Sequence, residues 1–142
     1  MDRRTLLQSI PGLALLGKLA TAQPHNSTQG ASTMVYELRI YHALEGKLND
    51  LLARFRDHTR QLFEKHGIRS VAYWTPTDDP LQGRTLVYIL AHPSREAAAA
   101  NWKAFQDDPE WKTVKEKSEE NGKLVEKIDS TYMSLTDFSA AI

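Results

Sequence analysis

Glu37 and Arg39 stand two positions apart in the run M-V-Y-E-L-R-I-Y-H, Met34 to His42. In an alternating run that spacing puts a carboxylate and a permanent cation on one side. Two uses follow. Arg39 can anchor a carboxylate or carbonyl oxygen of an otherwise apolar ligand. Alternatively, Glu37 neutralises Arg39 without any ligand, as a buried interface ion pair that fixes the register of two copies. A second group is aromatic. Trp74, Trp102 and Trp111, with Tyr73 and Phe105, either line an apolar pocket between a sheet and the second helix or pack as plain core. Tyr41, Tyr88 and His58 are the proton-transfer candidates. His58 qualifies because it lies close to a helical apolar stripe, three after Phe55 and four before Leu62, where it could serve as a base or axial ligand facing the sheet.

Other chemistry is excluded or unsupported. The absence of cysteine rules out disulfides, thiolate nucleophiles and Cys-ligated metals. No H-E-x-x-H or H-x-x-x-H spacing occurs, nor a G-x-S-x-G, a P-loop or a G-x-G-x-x-G. No metal and no cofactor is therefore expected, with haem bound through His58 as a weaker alternative. Formal net charge is zero with no basic block, so neither nucleic acid nor an anionic membrane is expected as a partner.

The elements that must position these residues begin after an unusual start. Arg3-Arg4-Thr5-Leu6-Leu7-Gln8, an apolar run from Ile10, and Ala20-Thr21-Ala22 make a twin-arginine-like export signal over residues 1–22. Export to the periplasm or beyond is expected, the competing reading being an N-terminus that stays attached. Residues 23–33 are polar and turn-rich, a flexible linker. The domain proper spans 34–138. Its first strand is the Met34–His42 run. Leu48, Leu51, Leu52, Phe55, Leu62 and Phe63 then mark an amphipathic helix of about five turns, closed by Gly67, with Arg54 on its solvated side. Ile68–Thr75 is the second strand. Thr85–His92 is the third, nearly all apolar and so covered on both faces. Ser94 caps a helix through Phe105, and Asp108-Pro109 opens another to about Glu120. Leu124–Phe138 supplies a last strand, expected to split near Asp129-Ser130.

The order β-α-β-β-α-β is that of a ferredoxin-like α+β fold with a four-stranded antiparallel sheet. Its helices cover one face. Tyr36, Leu38, Ile40, Ala72, Trp74, Leu86, Tyr88 and Leu90 are assigned to one side, and Val35, Tyr41, Val71, Tyr73, Val87, Ile89, Met133 and Leu135 to the other. Both sides are apolar, which is more than a monomer exposes. A homodimer, its two sheets packed into a barrel, is the expected cover.

Tyr36-Glu37-Leu38-Arg39-Ile40-Tyr41, Ala72-Tyr73-Trp74, Leu86-Val87-Tyr88, and Trp102-Lys103-Ala104-Phe105 leading to Asp108-Pro109-Glu110-Trp111 resemble the NIPSNAP family. The resemblance runs from Met34 to Phe138. It implies a dimeric α+β barrel of ferredoxin-like halves, in a family without a settled catalytic activity or cofactor. The expected function is accordingly binding of a small, mainly apolar ligand, or service as an interaction module, with Arg39, Tyr41, His58, Tyr73, Trp74, Tyr88, Trp102 and Trp111 as ligand-binding candidates. A cofactor-independent monooxygenase or isomerase is the alternative: Tyr41, His58 or Tyr88 would move protons while Arg39 stabilises an enolate-like oxyanion.

Overall fold

A computed structural model describes residues 34–142; the expected leader and linker, 1–22 and 23–33, lie outside the described residues. The first strand, β1 (Val35–Ala43), is followed by a helical rod in three segments: α1 (Leu48–Arg54), a π-helical turn (Phe55–Thr59) and α2 (Arg60–Lys65). Then come β2 (Arg69–Trp74), β3 (Thr85–His92), α3 (Arg95–Asp107), α4 (Pro109–Ser118) and β4 (Val125–Met133). The strands form one antiparallel sheet in the order β2-β3-β1-β4, with β1 and β3 central. The expected β-α-β-β-α-β order stands. β4 differs from expectation in running unbroken through Asp129 and Ser130, because both pair with β1, opposite Ile40 and Arg39.

Local chemistry explains the helix boundaries. Ser94 Oγ accepts from Ala97 N at 3.0 Å, and Asp108 Oδ1 from Glu110 N at 2.8 Å, each satisfying an N-terminal N–H with no partner in its helix. Asp108 also binds Lys65 Nζ at 2.8 Å and His66 Nε2 at 2.7 Å, which ties the end of α2 to the start of α4. The D-P-E-W corner is thus a structural joint. The π turn was not expected. It stretches the hydrogen-bond ladder by a residue; Arg60 N donates to Phe55 O, Thr59 Oγ1 donates to the Arg54 carbonyl at 3.2 Å and Gln61 Nε2 to the Arg56 carbonyl at 3.3 Å.

Gly67 ends the rod at φ +74°, and a Cβ there would stand 3.1 Å from Asn101 Nδ2, which donates to the Gly67 carbonyl. Gly67→Ala combines left-handed strain with displacement of Asn101. It is expected to lower stability by about 1–2 kcal/mol in a urea titration.

Register decides which residues meet the helices. Arg39 pairs with Tyr88, Glu37 with Leu90 and Tyr41 with Leu86, so Glu37, Arg39, Tyr41, Leu86, Tyr88 and Leu90 share the helix side. There Tyr41, Tyr88, Leu90, Leu51, Phe55, Phe63, Phe105 and Leu124 build the core. Tyr36, Leu38 and Ile40 point the other way, together with Val87, Ile89, Ala72, Trp74 and Met133. This corrects the expected phase of β3. Leu86, Tyr88 and Leu90 belong with Arg39, whereas Val87 and Ile89 belong with Leu38. A strand whose middle, Leu86–Ala91, is bulky or apolar at every position carries no alternation from which to read its phase. Among the described residues the second face has no helix over it, and residues 134–142 cover one end, near Tyr36 and Ile89. Leu38, Ile40, Val87 and Ile89 are left half-buried and Trp74 half-exposed.

Candidate functional site

Glu37 is the centre of the polar cluster on the helix side. It is 1% exposed, in mid-strand, and each carboxylate oxygen accepts twice. Oε1 takes Arg39 Nη1 at 2.7 Å and Ser130 Oγ at 2.8 Å; Oε2 takes Trp102 Nε1 at 2.8 Å and His92 Nε2 at 3.0 Å. Three strands and α3 thus converge on one carboxylate. Burial alone would push its pKa up, but the four donors prevail and hold it at about 2.

Arg39 is fixed by what surrounds it. Its Nε donates to the Tyr88 hydroxyl at 3.1 Å, and Nη2 reaches the Tyr41 hydroxyl at 3.4 Å. The guanidinium lies over the Trp102 ring, 4.4 Å from its centroid, a cation–π stack. Its side chain keeps 15% of its surface exposed. Burial works against the charge, yet Tyr41, Tyr88 and Glu37 raise the Arg39 pKa above its usual value. Tyr88 is fully buried, and desolvation pushes its hydroxyl well above the ordinary phenol pKa, so it is a donor and not a base.

Arg39, Tyr41, Tyr88 and Trp102 are therefore brought together. The other candidates are not. His58 is exposed on the π turn, in an open groove between the rod and α4. It does not face the sheet, because the π turn rotates it off the apolar stripe; as a base or haem ligand beside Arg39 it is misplaced. Tyr73 packs on Tyr88 at 5.2 Å and Phe55 at 5.9 Å. Trp111 lies 4.6 Å from Phe105, which also meets Phe63 at 5.0 Å and Trp102 at 5.7 Å. These rings fill the space expected as a pocket. Trp74 cannot line it, since one residue from Tyr73 along a strand it points to the uncovered face. Nor does the Glu37–Arg39 pair fix register between two uncovered faces: it sits on the opposite side, under α3.

Sequence reasoning missed three partners of Glu37. His92 ends an apolar strand and is fully buried, with Nδ1 lacking a partner among the described residues. Trp102 carried a usable signal: an indole on a packed helix needs an acceptor for its N–H. Ser130 carried none. Arg54, assigned to the solvated side, is 5% exposed. Among the described residues there is no cluster of His, Cys, Asp or Glu that could hold a metal ion, and no helix is long and apolar enough to cross a membrane.

Several solved structures share this architecture. An uncharacterised NIPSNAP-like domain protein from Burkholderia xenovorans superposes with a TM-score of 0.68 at 18% identity, covering 78% of this chain and 92% of that one. A NIPSNAP family protein of unknown function from Agrobacterium tumefaciens gives 0.65 at 22% identity, covering 76% and 93%. A candidate antibiotic biosynthesis monooxygenase from Nitrosomonas europaea gives 0.53 at 15%, covering 77% and 96%. At these identities the likeness shows the fold alone. No curated protein matches this chain. The sequence model of the NIPSNAP family, however, matches residues 36–140, most of the chain and every strand and helix described above. The chain belongs to the NIPSNAP family.

Proposed function

We propose that this protein is an exported homodimer that binds a small, mainly apolar molecule through an oxygen atom held at Arg39. The observation that carries the reading is the investment around one guanidinium. Glu37 is saturated by four donors and holds Arg39 from one side, Trp102 stacks on its face, and the Tyr41 and Tyr88 hydroxyls stand against it. Three bonds leave some of the five N–H groups of an arginine over. A pre-positioned, partly desolvated cation among aromatic rings suits a carbonyl or carboxylate oxygen on an apolar body. The second copy is inferred from the uncovered, largely apolar sheet face. Export is inferred from the twin arginines and the Ala20-Thr21-Ala22 site of the first 22 residues.

Native mass spectrometry of protein from its own host is expected to show a dimer with a retained small molecule. Arg39→Ala should abolish retention and leave the dimer intact. A dimer lost along with the ligand would give Arg39 a structural role and defeat the reading. Catalysis at the same residues is the second reading: a cofactor-independent monooxygenase or isomerase in which Arg39 stabilises an oxyanion and Tyr88, kept protonated by burial, donates to it. His58 has no part in it.

A further inference from the structure

Neighbours close in on Arg39 from every side but one. Tyr88 stands against it from β3, Glu37 and Tyr41 lie before and after it on β1, and Trp102 covers it from α3. The remaining side is β4, where its register partner is Ser130. Ile128, Ser130 and Tyr132 are the helix-side residues of that strand, opposite Tyr41, Arg39 and Glu37. Ser130 is exposed and Ile128 is 43% exposed, so among the described residues no helix closes this edge. Tyr132 is half-buried, with the Arg95 guanidinium 4.1 Å from its ring centroid, which ties the end of the strand to the start of α3. The exposed part of the Arg39 side chain therefore faces the edge strand.

Chemistry constrains Ser130 further. Four donors keep Glu37 ionised, and a carboxylate only accepts. The Ser130 proton is thus committed to Glu37 Oε1, at 2.8 Å, and the hydroxyl shows lone pairs to the opening. No donor among the described residues reaches them. Arg39 Nη1 donates to the same Oε1 at 2.7 Å. A group that only donates and a group that only accepts therefore stand on either side of a single oxygen.

We propose that the Arg39 site opens over β4 and that Ser130 is its second ligand-contacting group, an acceptor, so that the ligand is an α-hydroxycarbonyl compound, acid or ketone, with an apolar body. The inference rests on the Arg39 reading above. The carbonyl or carboxylate oxygen takes an unused N–H of Arg39. A plain carboxylate bridging both residues would set an oxygen against the Ser130 lone pairs. A hydroxyl on the neighbouring carbon donates to them instead, so each group of the pair meets its complement. Ile128, two residues along the strand, supplies apolar surface beside the opening.

The test uses the full chain and two matched pairs of probes, read by isothermal titration: mandelate with phenylacetate, and α-hydroxyacetophenone with acetophenone. In the pair whose oxygen suits Arg39, the hydroxylated member is expected to bind about fivefold more tightly or better. Which pair shows the gap tells acid from ketone. Ser130→Ala should erase the gap and Ser130→Thr should keep it, whereas a purely structural Ser130 would weaken both members of a pair alike. Ile128→Glu, which sets a carboxylate at the opening, should weaken mandelate and phenylacetate together. Unchanged affinity in that variant overturns the opening over β4, and a gap that survives Ser130→Ala overturns the role of Ser130. Equal affinity within both pairs for the unaltered chain also overturns it, yet leaves the Arg39 reading standing, since binding itself needs only the first oxygen. If no member of either pair binds, the Arg39 reading falls and this one with it.

Discussion

Glu37→Gln is expected to destabilise the fold by about 3–5 kcal/mol, the usual penalty for removing one partner of a buried charge pair. The replacement keeps shape and volume but turns an acceptor of four hydrogen bonds into a group that must present its own N–H₂ to some of those donors. Arg39 then keeps its charge in a partly desolvated place without its counter-charge. Acid titration gives an independent measure of the same energy. The folded carboxyl titrates at about 2 against an ordinary 4.5. Its folded pKa lies below the unfolded one, so the unfolded chain binds the proton more readily. The stability is fully present above about pH 4.5 and drains away as the pH falls towards 2. At about 1.4 kcal/mol per unit the window is worth about 3 kcal/mol. Guanidinium titrations at pH 7, 4 and 2.5 should show the wild-type advantage shrinking through that range. A Gln variant within about 1 kcal/mol of wild type at pH 7 would mean that the network does not hold the sheet to α3.

The energetics of that carboxylate were only half legible in the sequence. Glu37 and Arg39 could be placed on one strand side from alternation alone, and the order of elements followed from where the period changes from two to 3.6. What alternation could not supply was the neighbour strand. Leu86–Ala91 is bulky or apolar at every position, so the phase of this strand is set by pairing with β1, and only the pairing puts Tyr88 beside Arg39. His58 was lost to a different cause. A count of 3.6 residues per turn from Leu48 gives its direction correctly only in a regular α-helix, and nothing in F-R-D-H-T announces a π turn. Arg54 lies before that turn, in regular α1 and three residues after buried Leu51, so its inward side was countable; its charge argued for solvent instead. The tryptophans were ambiguous for a third reason: an aromatic at strand or helix spacing reads the same whether it lines a cavity or fills one.

Ile40→Glu is expected to convert the proposed dimer to a monomer while leaving the fold intact, raising the dissociation constant by about 100-fold or more. Ile40 lies on the uncovered face, opposite Val87, and beside it Leu38 faces Ile89. In a two-fold interface each substitution appears twice, so two carboxylates would enter the contact together, each beside Asp129, which pairs with Ile40 and already takes His42 and Lys127. The helix-side core lies on the other side of the sheet, so circular dichroism and monomer stability should be little changed. Ile128→Glu is the matched control. Ile128 pairs with Tyr41 and stands on the helix side, 43% exposed at the edge strand, so the same charge there should leave sedimentation at the dimer position. The contrast matters more than either result. Loss of the dimer in both variants would point to general destabilisation, and a monomeric wild-type chain would leave the uncovered face without the partner its apolar side chains require. With the contrast observed, the division of labour within the sheet is established by face: Leu38, Ile40, Val87 and Ile89 hold two copies together, while Glu37, Arg39, Tyr41 and Tyr88, one residue out of step along the same strands, are free to hold a ligand.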